Sequence, residues 1–326
     1  MSIELTVTPN DVPRITFEEA RKRIAEMNLI NGFLLDSIAE DDEKGRIVVK
    51  CIVDSVLDMD IPISTVKSQK VINGLDSIYH GIRLDVSIEK EKAFLGNTTI
   101  YDLEVEDRAA DKKELPKRGR YYQALTDSVN LPTSASYMDL PDYVSITILS
   151  YDPFDSGDMY YEVKSVVESH PDIKYEDGIR RIFLYGKGKN NLKGTSAYRE
   201  RVEEVVNYIV TGEKKENPDP VVTTMDKIVS DTKGKTEVTK KFMQNWDRIE
   251  HIKRDITKEV TEKVTKEVTE EVTKEVTKEV TKEAVLGFIE YGRALNDTDE
   301  NIRSLIKAKF KLDDETIDEF FSEASV

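Results

Sequence analysis

The spacing of the hydrophobic positions changes near Pro62, from helical intervals before it to strand-like alternation after it. Apolar residues recur at helical intervals from Phe33 to Ile38 and again from Ile47 to Leu57. Proline lacks a backbone N–H and its ring clashes with the preceding turn, so Pro62 ends this helical region. Residues 1–27 are polar and mixed, and we expect them to form a leader that packs loosely.

Beyond Pro62 the pattern predicts a sheet interrupted by single helices. The predicted strands are 66–72, 82–88, 100–106, 143–149, 160–167 and 181–185, and the predicted helices are 112–129 and 197–210. The second and third strands alternate apolar and polar residues, which is typical of a sheet with one polar face. The strands at 143–149 and 181–185 are nearly all apolar, as in central strands covered on both faces. This order predicts a mixed α/β (α+β) domain with helices flanking a central sheet.

A tetrapeptide repeat follows a charged, proline-containing linker at 214–220. Within Thr-Lys-Glu-Val units, valine recurs every four residues from Val260 to Val280. On a helix a strict period of four drifts by about 40° per repeat, so the valines wind around the helix without forming a heptad seam. Half of the positions are β-branched, which weakens helix propensity. We interpret the repeat as a solvated helical spacer. The alternative is a homo-oligomer, in which this helix forms a bundle between copies of the chain.

The pattern as a whole divides the chain into five parts. They are a leader at 1–27, a globular domain at 28–212, a linker and helical segment at 213–254, the repeat helix at 255–284 and a C-terminal helical module at 285–326. The last part carries apolar residues at helical spacing, which suits two or three short packed helices.

Composition narrows the classes of function. The 326 residues include 64 acidic and 48 basic side chains, a formal net charge of −16, so any contact with nucleic acid must use a local basic patch. The single cysteine, Cys51, permits neither an internal disulfide nor a cysteine-based zinc site. The start of the chain lacks the basic flank of a secretory signal, and the apolar stretch Ala284–Ile289 is too short to span a membrane. We expect a cytoplasmic protein without membrane contact.

Three carboxylates lie on the polar faces of two successive predicted strands. Asp85 is on one strand, and Glu104 and Glu106 share a face of the next. If these strands pair, like charges converge and must be offset by solvent, basic neighbours or a divalent cation. Hard oxygen ligands suit Mg²⁺ or Mn²⁺. The plainer alternative is a strand face turned to solvent.

A basic block follows the carboxylate strands. Between Arg108 and Arg120 there are six basic and two acidic residues, within an acidic chain. Arginine and tyrosine on a helix beside a metal suit phosphate contacts, whereas a charged helix face anchored by a tyrosine is the alternative. The candidate DNA-binding residues are Lys117, Arg118, Arg120, Tyr122 and Gln123.

These motifs together resemble a known family. Asp85, then Leu103-Glu104-Val105-Glu106, then Leu115-Pro-Lys-Arg-Gly-Arg-Tyr-Tyr-Gln, is similar to the PD-(D/E)XK nuclease family transposases, the recombination-promoting nuclease (Rpn) group. The likeness continues through Asp142-Tyr-Val-Ser-Ile-Thr-Ile and Asp177-Gly-Ile-Arg-Arg-Ile-Phe-Leu, and covers roughly residues 28 to 250. It implies a restriction-endonuclease-like core that cuts DNA with Mg²⁺ or Mn²⁺. By position, Asp85 and Glu104 are the expected metal ligands, assisted by the Val105 carbonyl.

Glu106 departs from the pattern of that family. The family usually has Gln at this position, and the wider superfamily has Lys, which would orient the attacking water and supply positive charge. Glu106 adds a negative charge instead. It would act as a further ligand, or as a base if its pKa is raised, or else it marks a chain that binds DNA without cutting it. The expected catalytic set is therefore Asp85, Glu104 and Glu106.

Overall fold

The structure is a computed structural model that describes residues 14–60, 66–72, 82–89 and 99–324. In the strands 66–72 and 82–89, and at residue 111, it describes the backbone and not the side chain. Pro13–Asp247 form one compact unit, and Arg248–Val326 belong to a second.

The first unit is built around a mixed six-stranded sheet. Its strands are β1 (Val66–Ile72), β2 (Ile82–Glu89), β3 (Thr99–Glu106), β4 (Asp142–Leu149), β5 (Tyr160–Val163) and β6 (Ile179–Tyr185), in the spatial order β1-β2-β3-β4-β6-β5. β1, β2 and β3 pair antiparallel, β3, β4 and β6 pair parallel, and β5 is antiparallel to β6. A parallel pair needs a crossover connection, and the chain between β3 and β4 supplies it with a helix.

The helices of this unit flank the sheet. They are α1 (Phe17–Glu26), α2 (Gly32–Ala39), α3 (Asp42–Leu57), α4 (Leu115–Asn130), α5 (Ser196–Thr211), α6 (Pro220–Lys233) and the start of α7 (Thr236–Ala294). A 3-10 turn at Ala109–Glu114 leads into α4, whose second residue, Pro116, needs no N–H partner at a helix start. Gly212 ends α5 with φ +74°, a left-handed conformation that favours glycine.

The two faces of the sheet are covered differently. Leu103, Ile146 and Leu184 lie on the face that packs against α2, α3, α5 and α6 in the main hydrophobic core. On the other face Leu149 and Phe183 pack against Leu115 at the start of α4. The polar face predicted for β3 is therefore covered by α4 and is not turned to solvent.

The expectation of a loosely packed leader at 1–27 is wrong for its second half. Residues 1–13 lie outside the described part of the chain, but 17–26 form α1, capped by the Thr16 hydroxyl, which accepts from the Glu19 N–H at 3.2 Å. Ala20 and Ile24 are fully buried in a cluster with Phe242. This segment packs closely because the two apolar residues lie one turn apart on the same helix face.

The second unit contains most of α7, followed by α8 (Asp299–Phe310) and α9 (Asp314–Glu323). The end of α7, with Val285 and Ile289, packs on Ile302, Ile306 and other apolar residues of α8 and α9. These helix segments form a small packed cluster at the C-terminal end of the described chain. Within α7, the six valines of the repeat are each about half exposed, between 49% and 59%. No helix in the described part of the chain is both long enough and apolar enough to cross a membrane.

The predicted sheet is confirmed strand by strand, with one correction. β5 ends at Val163, although the apolar pattern extends the prediction to 167. Val166 is 72% exposed, so burial does not favour continuing this edge strand through that residue. The predicted helices at 112–129 and 197–210 correspond to α4, with its preceding 3-10 turn, and to α5.

Candidate metal and nucleic-acid site

Two rows of side chains cross the sheet on the face beneath α4. In the first row Asp102 on β3 pairs with Ser145 on β4, which pairs with Arg181 on β6. In the second row Glu104 pairs with Thr147, which pairs with Phe183. Residues that are direct partners across a sheet share a face, so polar groups from three strands meet under one helix.

A small cavity separates this face from α4. It measures about 20 Å³, which suffices for a water molecule or a single ion but not for an organic substrate. Its lining residues are Asp102, Glu104, Leu115, Arg118, Gly119, Tyr122, Tyr143, Ser145, Thr147, Arg181 and Phe183. A larger substrate must therefore reach the site from outside the cavity.

Glu104 lies at this cavity with its side chain partly buried. Arg118 lines the same cavity from α4. Burial acts to lower the pKa of Arg118, but its hydrogen bond to Glu106 and the charges of Glu104 and Glu106 outweigh burial, so its pKa is raised. The site therefore holds a fixed positive charge beside the Glu104 carboxylate.

Glu106 is a bonded, buried carboxylate. It is 8% exposed, and its Oε2 accepts from Arg118 Nη1 at 2.9 Å. Its Oε1 accepts from the backbone N–H of Arg108, also at 2.9 Å. Both oxygens are thus engaged in holding α4 and the preceding turn onto β3. This arrangement gives Glu106 a positioning role and leaves neither oxygen free of a protein contact.

Asp102 is a further carboxylate on the same face of β3. It is 2% exposed, and its Oδ2 accepts from the Tyr143 hydroxyl at 2.7 Å. Burial, together with the charge of Asp102 and this hydrogen bond, raises the pKa of Tyr143. The phenol is therefore a neutral donor at physiological pH.

Three polar side chains link β6 to the middle of α4. The Arg181 Nη2 donates to Gln123 Oε1, and the Gln123 Nε2 donates to Asp127 Oδ2 at 3.2 Å. Burial raises the pKa of Asp127, against the opposing effects of the Gln123 hydrogen bond and the Arg181 charge. The two contacts fix the orientation of the Gln123 amide, because its oxygen and its nitrogen face different partners.

The predicted DNA-binding residues divide between the two sides of α4. Lys117 and Arg120 are exposed on the outer side. Arg118, Tyr122 and Gln123 face the sheet, where they line the cavity or bond to its residues. The basic block therefore offers an outer cationic surface and an inner set that holds the polar face together.

Asp85 lies on β2, where the structure describes the backbone alone. The β2–β3 ladder runs from Glu89 paired with Ile100 to Val86 paired with Leu103, so Asp85 and Glu104 are the next residues along the two antiparallel strands. By register they occupy opposing positions. The Val105 backbone lies between Glu104 and Glu106, and its side chain packs on the main core.

The oxygen ligands of this region are of the kind that a hard divalent cation prefers, but the described side chains do not form a complete ligand set. Carboxylates of Asp102 and Glu104 lie at one small polar cavity, which has the right size for an ion. Among the described side chains, however, no group of three or more His, Cys, Asp or Glu residues could hold a metal. A complete ligand set must therefore draw on Asp85, on backbone carbonyls or on water.

Comparison with known proteins identifies no relative: no family model, curated protein or solved structure matches the chain.

The site contains three residues that the sequence analysis did not select, Asp102, Tyr143 and Arg181. Asp102 had a local signal, since it alternates in register with Glu104 and Glu106 on β3. Tyr143 and Arg181 fall within segments quoted for the resemblance, but no local pattern indicated their place at this site. The parallel pairing that brings β4 and β6 beside β3 joins segments far apart in the chain.

Proposed function

We propose that the chain is a metal-dependent DNA endonuclease of the PD-(D/E)XK type, which hydrolyses phosphodiester bonds. The observation that carries this proposal is the position of Glu104, half-buried at an ion-sized polar cavity, with Asp85 at the opposing register position on β2. The resemblance of the sequence motifs to that family also supports the proposal.

In this proposal Asp85 and Glu104 hold Mg²⁺ or Mn²⁺, with the Val105 carbonyl as a further ligand. A bound divalent cation lowers the pKa of water and stabilises the charge that develops on a phosphodiester. The chain itself contributes fixed charge and orientation. Glu106 holds Arg118 beside the cavity through their 2.9 Å ion pair, and Lys117 and Arg120 on the outer side of α4 contact the DNA backbone.

The test is nicking of supercoiled plasmid by the purified chain with and without Mg²⁺. We expect Mg²⁺-stimulated nicking that is lost, by at least about a hundredfold, in Asp85→Ala and in Glu104→Ala. Glu168→Ala removes an exposed carboxylate elsewhere in the first unit and is the matched control. Equal nicking by the wild type, Asp85→Ala and Glu104→Ala would reject the proposal.

A second candidate is a nuclease-like protein that binds DNA, or supports an assembly on it, without cutting. The observation in its favour is the Glu106 carboxylate, which occupies the place of the usual Gln or Lys and has both oxygens bonded to Arg118 and the Arg108 amide. This candidate predicts salt-sensitive DNA binding without cleavage in either Mg²⁺ or Mn²⁺. Efficient turnover by the wild type would eliminate it.

A further inference from the structure

Arg181 is a cation on the polar face of the sheet that the proposed metal chemistry does not use. It stands in one row with Asp102 and Ser145 and lines the cavity that Glu104 also lines. Its stem passes under α4, where a Cβ added at Gly119 would lie 3.9 Å from Arg181 Cδ. The side chain is therefore confined between β6 and the helix.

The guanidinium of Arg181 has N–H donors that make no hydrogen bond to the described residues. A guanidinium carries five N–H groups, and the only hydrogen bond that this one makes to a described side chain is from Nη2 to Gln123. Its Nε is buried and has no partner in the described part of the chain. A partly buried cation with unused donors is costly unless an anion completes it.

Two of the described carboxylates near Arg181 accept hydrogen bonds from other residues. Asp102 accepts the hydroxyl hydrogen bond from Tyr143, and Glu106 is bonded to Arg118 and to the Arg108 amide. Gln123 is a neutral acceptor, and its amide is oriented toward Arg181 by the hydrogen bond to Asp127. Among the residues whose side chains the structure describes, the surroundings therefore position the guanidinium through Gln123 without a direct ion pair.

We infer that Arg181 binds an anionic phosphate oxygen of the DNA backbone at this site, with Gln123 and Asp127 as positioning residues. The planar guanidinium fork matches the oxygens of a phosphate and is suited to bidentate contact. The inference deepens the function proposed above and rests on it, because the phosphodiester is the substrate of that function. It assigns the anion contact to β6, on the sheet, in addition to the outer surface of α4.

The test measures binding of a short labelled DNA duplex over a range of salt concentrations. Ca²⁺ replaces Mg²⁺ so that the DNA stays intact, which a denaturing gel verifies. Arg181→Gln should bind about tenfold more weakly at low salt, and the slope of log affinity against log salt should fall by about one. The matched control is Arg180→Gln, which removes the same charge from the next residue, on the opposite face, where Arg180 donates to Glu162 at 2.7 Å. This control should leave the slope unchanged.

A second variant keeps the inference testable if Arg181→Gln does not fold. Gln123→Glu combined with Asp127→Asn keeps Arg181 and gives it an internal carboxylate partner, while the second substitution puts an amide in place of the carboxylate that would otherwise face the new one. This double variant should weaken DNA binding while the thermal midpoint stays the same or rises. Unchanged affinity in the folded double variant, or equal slopes for Arg181→Gln and Arg180→Gln, would overturn the inference and leave the proposed nuclease standing. No DNA binding by the wild type would overturn both.

Discussion

At the scale of single residues, three charged groups of the site each have a defined side-chain contact. Glu106 is bonded to Arg118, Asp102 to the Tyr143 hydroxyl, and Arg181 to Gln123. Buried polar groups that lose one partner leave the other uncompensated, which costs more than the contact itself contributes. Substitutions here should therefore affect stability as well as any activity, and the two effects must be measured separately.

The ion pair of Glu106 should contribute to stability. Glu106→Gln leaves the Arg118 guanidinium beside a neutral amide, and we expect it to lower the free energy of unfolding by about 2–3 kcal/mol. The loss should be below that of a fully buried pair because the Arg118 side chain keeps 22% of its exposure. Glu162→Gln, at an ion pair with Arg180 on the edge strand β5, should cost less than about 1 kcal/mol. Denaturant unfolding of both variants checks this, and equal losses would contradict it.

Asp127 should produce a pH-dependent effect of known sign. Burial raises its pKa above the ordinary value of 3.8, so the folded state binds this proton more tightly than the unfolded chain. The ionised carboxyl therefore costs stability above the raised pKa, and the cost disappears as the pH falls below 3.8.

Asp127→Asn should remove this cost while keeping an acceptor for Gln123. We expect it to be more stable than the wild type at pH 7, by at most about 1 kcal/mol, with the difference shrinking toward pH 4. Thermal unfolding at the two pH values measures it. Glu168→Gln controls for the loss of one negative charge. A difference that grows toward pH 4 would be the wrong sign.

At the scale of elements, α4 is the part of the site that local sequence predicts best. The helical spacing of apolar and basic residues predicts α4, and the alternation of apolar and polar residues predicts the polar face of β3. The sequence does not reveal that this helix covers that face, because Leu115 meets Leu149 and Phe183 only once distant strands have paired in parallel. The same non-local pairing places Arg181 at the site. Local patterns therefore predict the elements and two of the carboxylates that the structure describes on this face, Glu104 and Glu106, but not the partners that surround them.

Replacing glycine by alanine should have opposite effects on stability in α4 and in the turn after β6. A Cβ at Gly119 would meet Arg181 Cδ at 3.9 Å, an ordinary contact, so Gly119→Ala should raise the free energy of unfolding by about 0.5–1 kcal/mol through helix propensity. A Cβ at Gly186 would lie 2.5 Å from Val210 Cγ2, so Gly186→Ala should lower it by about 1–3 kcal/mol. Denaturant unfolding of both variants tests the pair, and destabilisation by Gly119→Ala would show that α4 lies closer to the sheet.

At the scale of the whole molecule, the repeat in α7 is either a solvated spacer or a helix that forms a bundle between copies of the chain. Six half-exposed valines form an exposed apolar row, which in soluble proteins often marks an interaction surface. The row winds by about 40° per repeat, so two straight helices could bring only a few of its members into contact at one crossing. This geometry favours a solvated spacer over an extended bundle between copies of the chain.

Replacing the six valines by alanine distinguishes the spacer from the bundle, because the change in helix stability has opposite signs in the two cases. In a spacer the change should stabilise the helix by about 0.5 kcal/mol per residue, because alanine has the higher propensity, and the sedimentation mass should not change. Circular dichroism during heating and analytical ultracentrifugation measure both. The control replaces the six following threonines, from Thr261 to Thr281, by alanine and should likewise raise helicity. If the valines pack between copies of the chain, the valine set alone should lower both the mass and the melting temperature, since buried Val→Ala changes leave cavities.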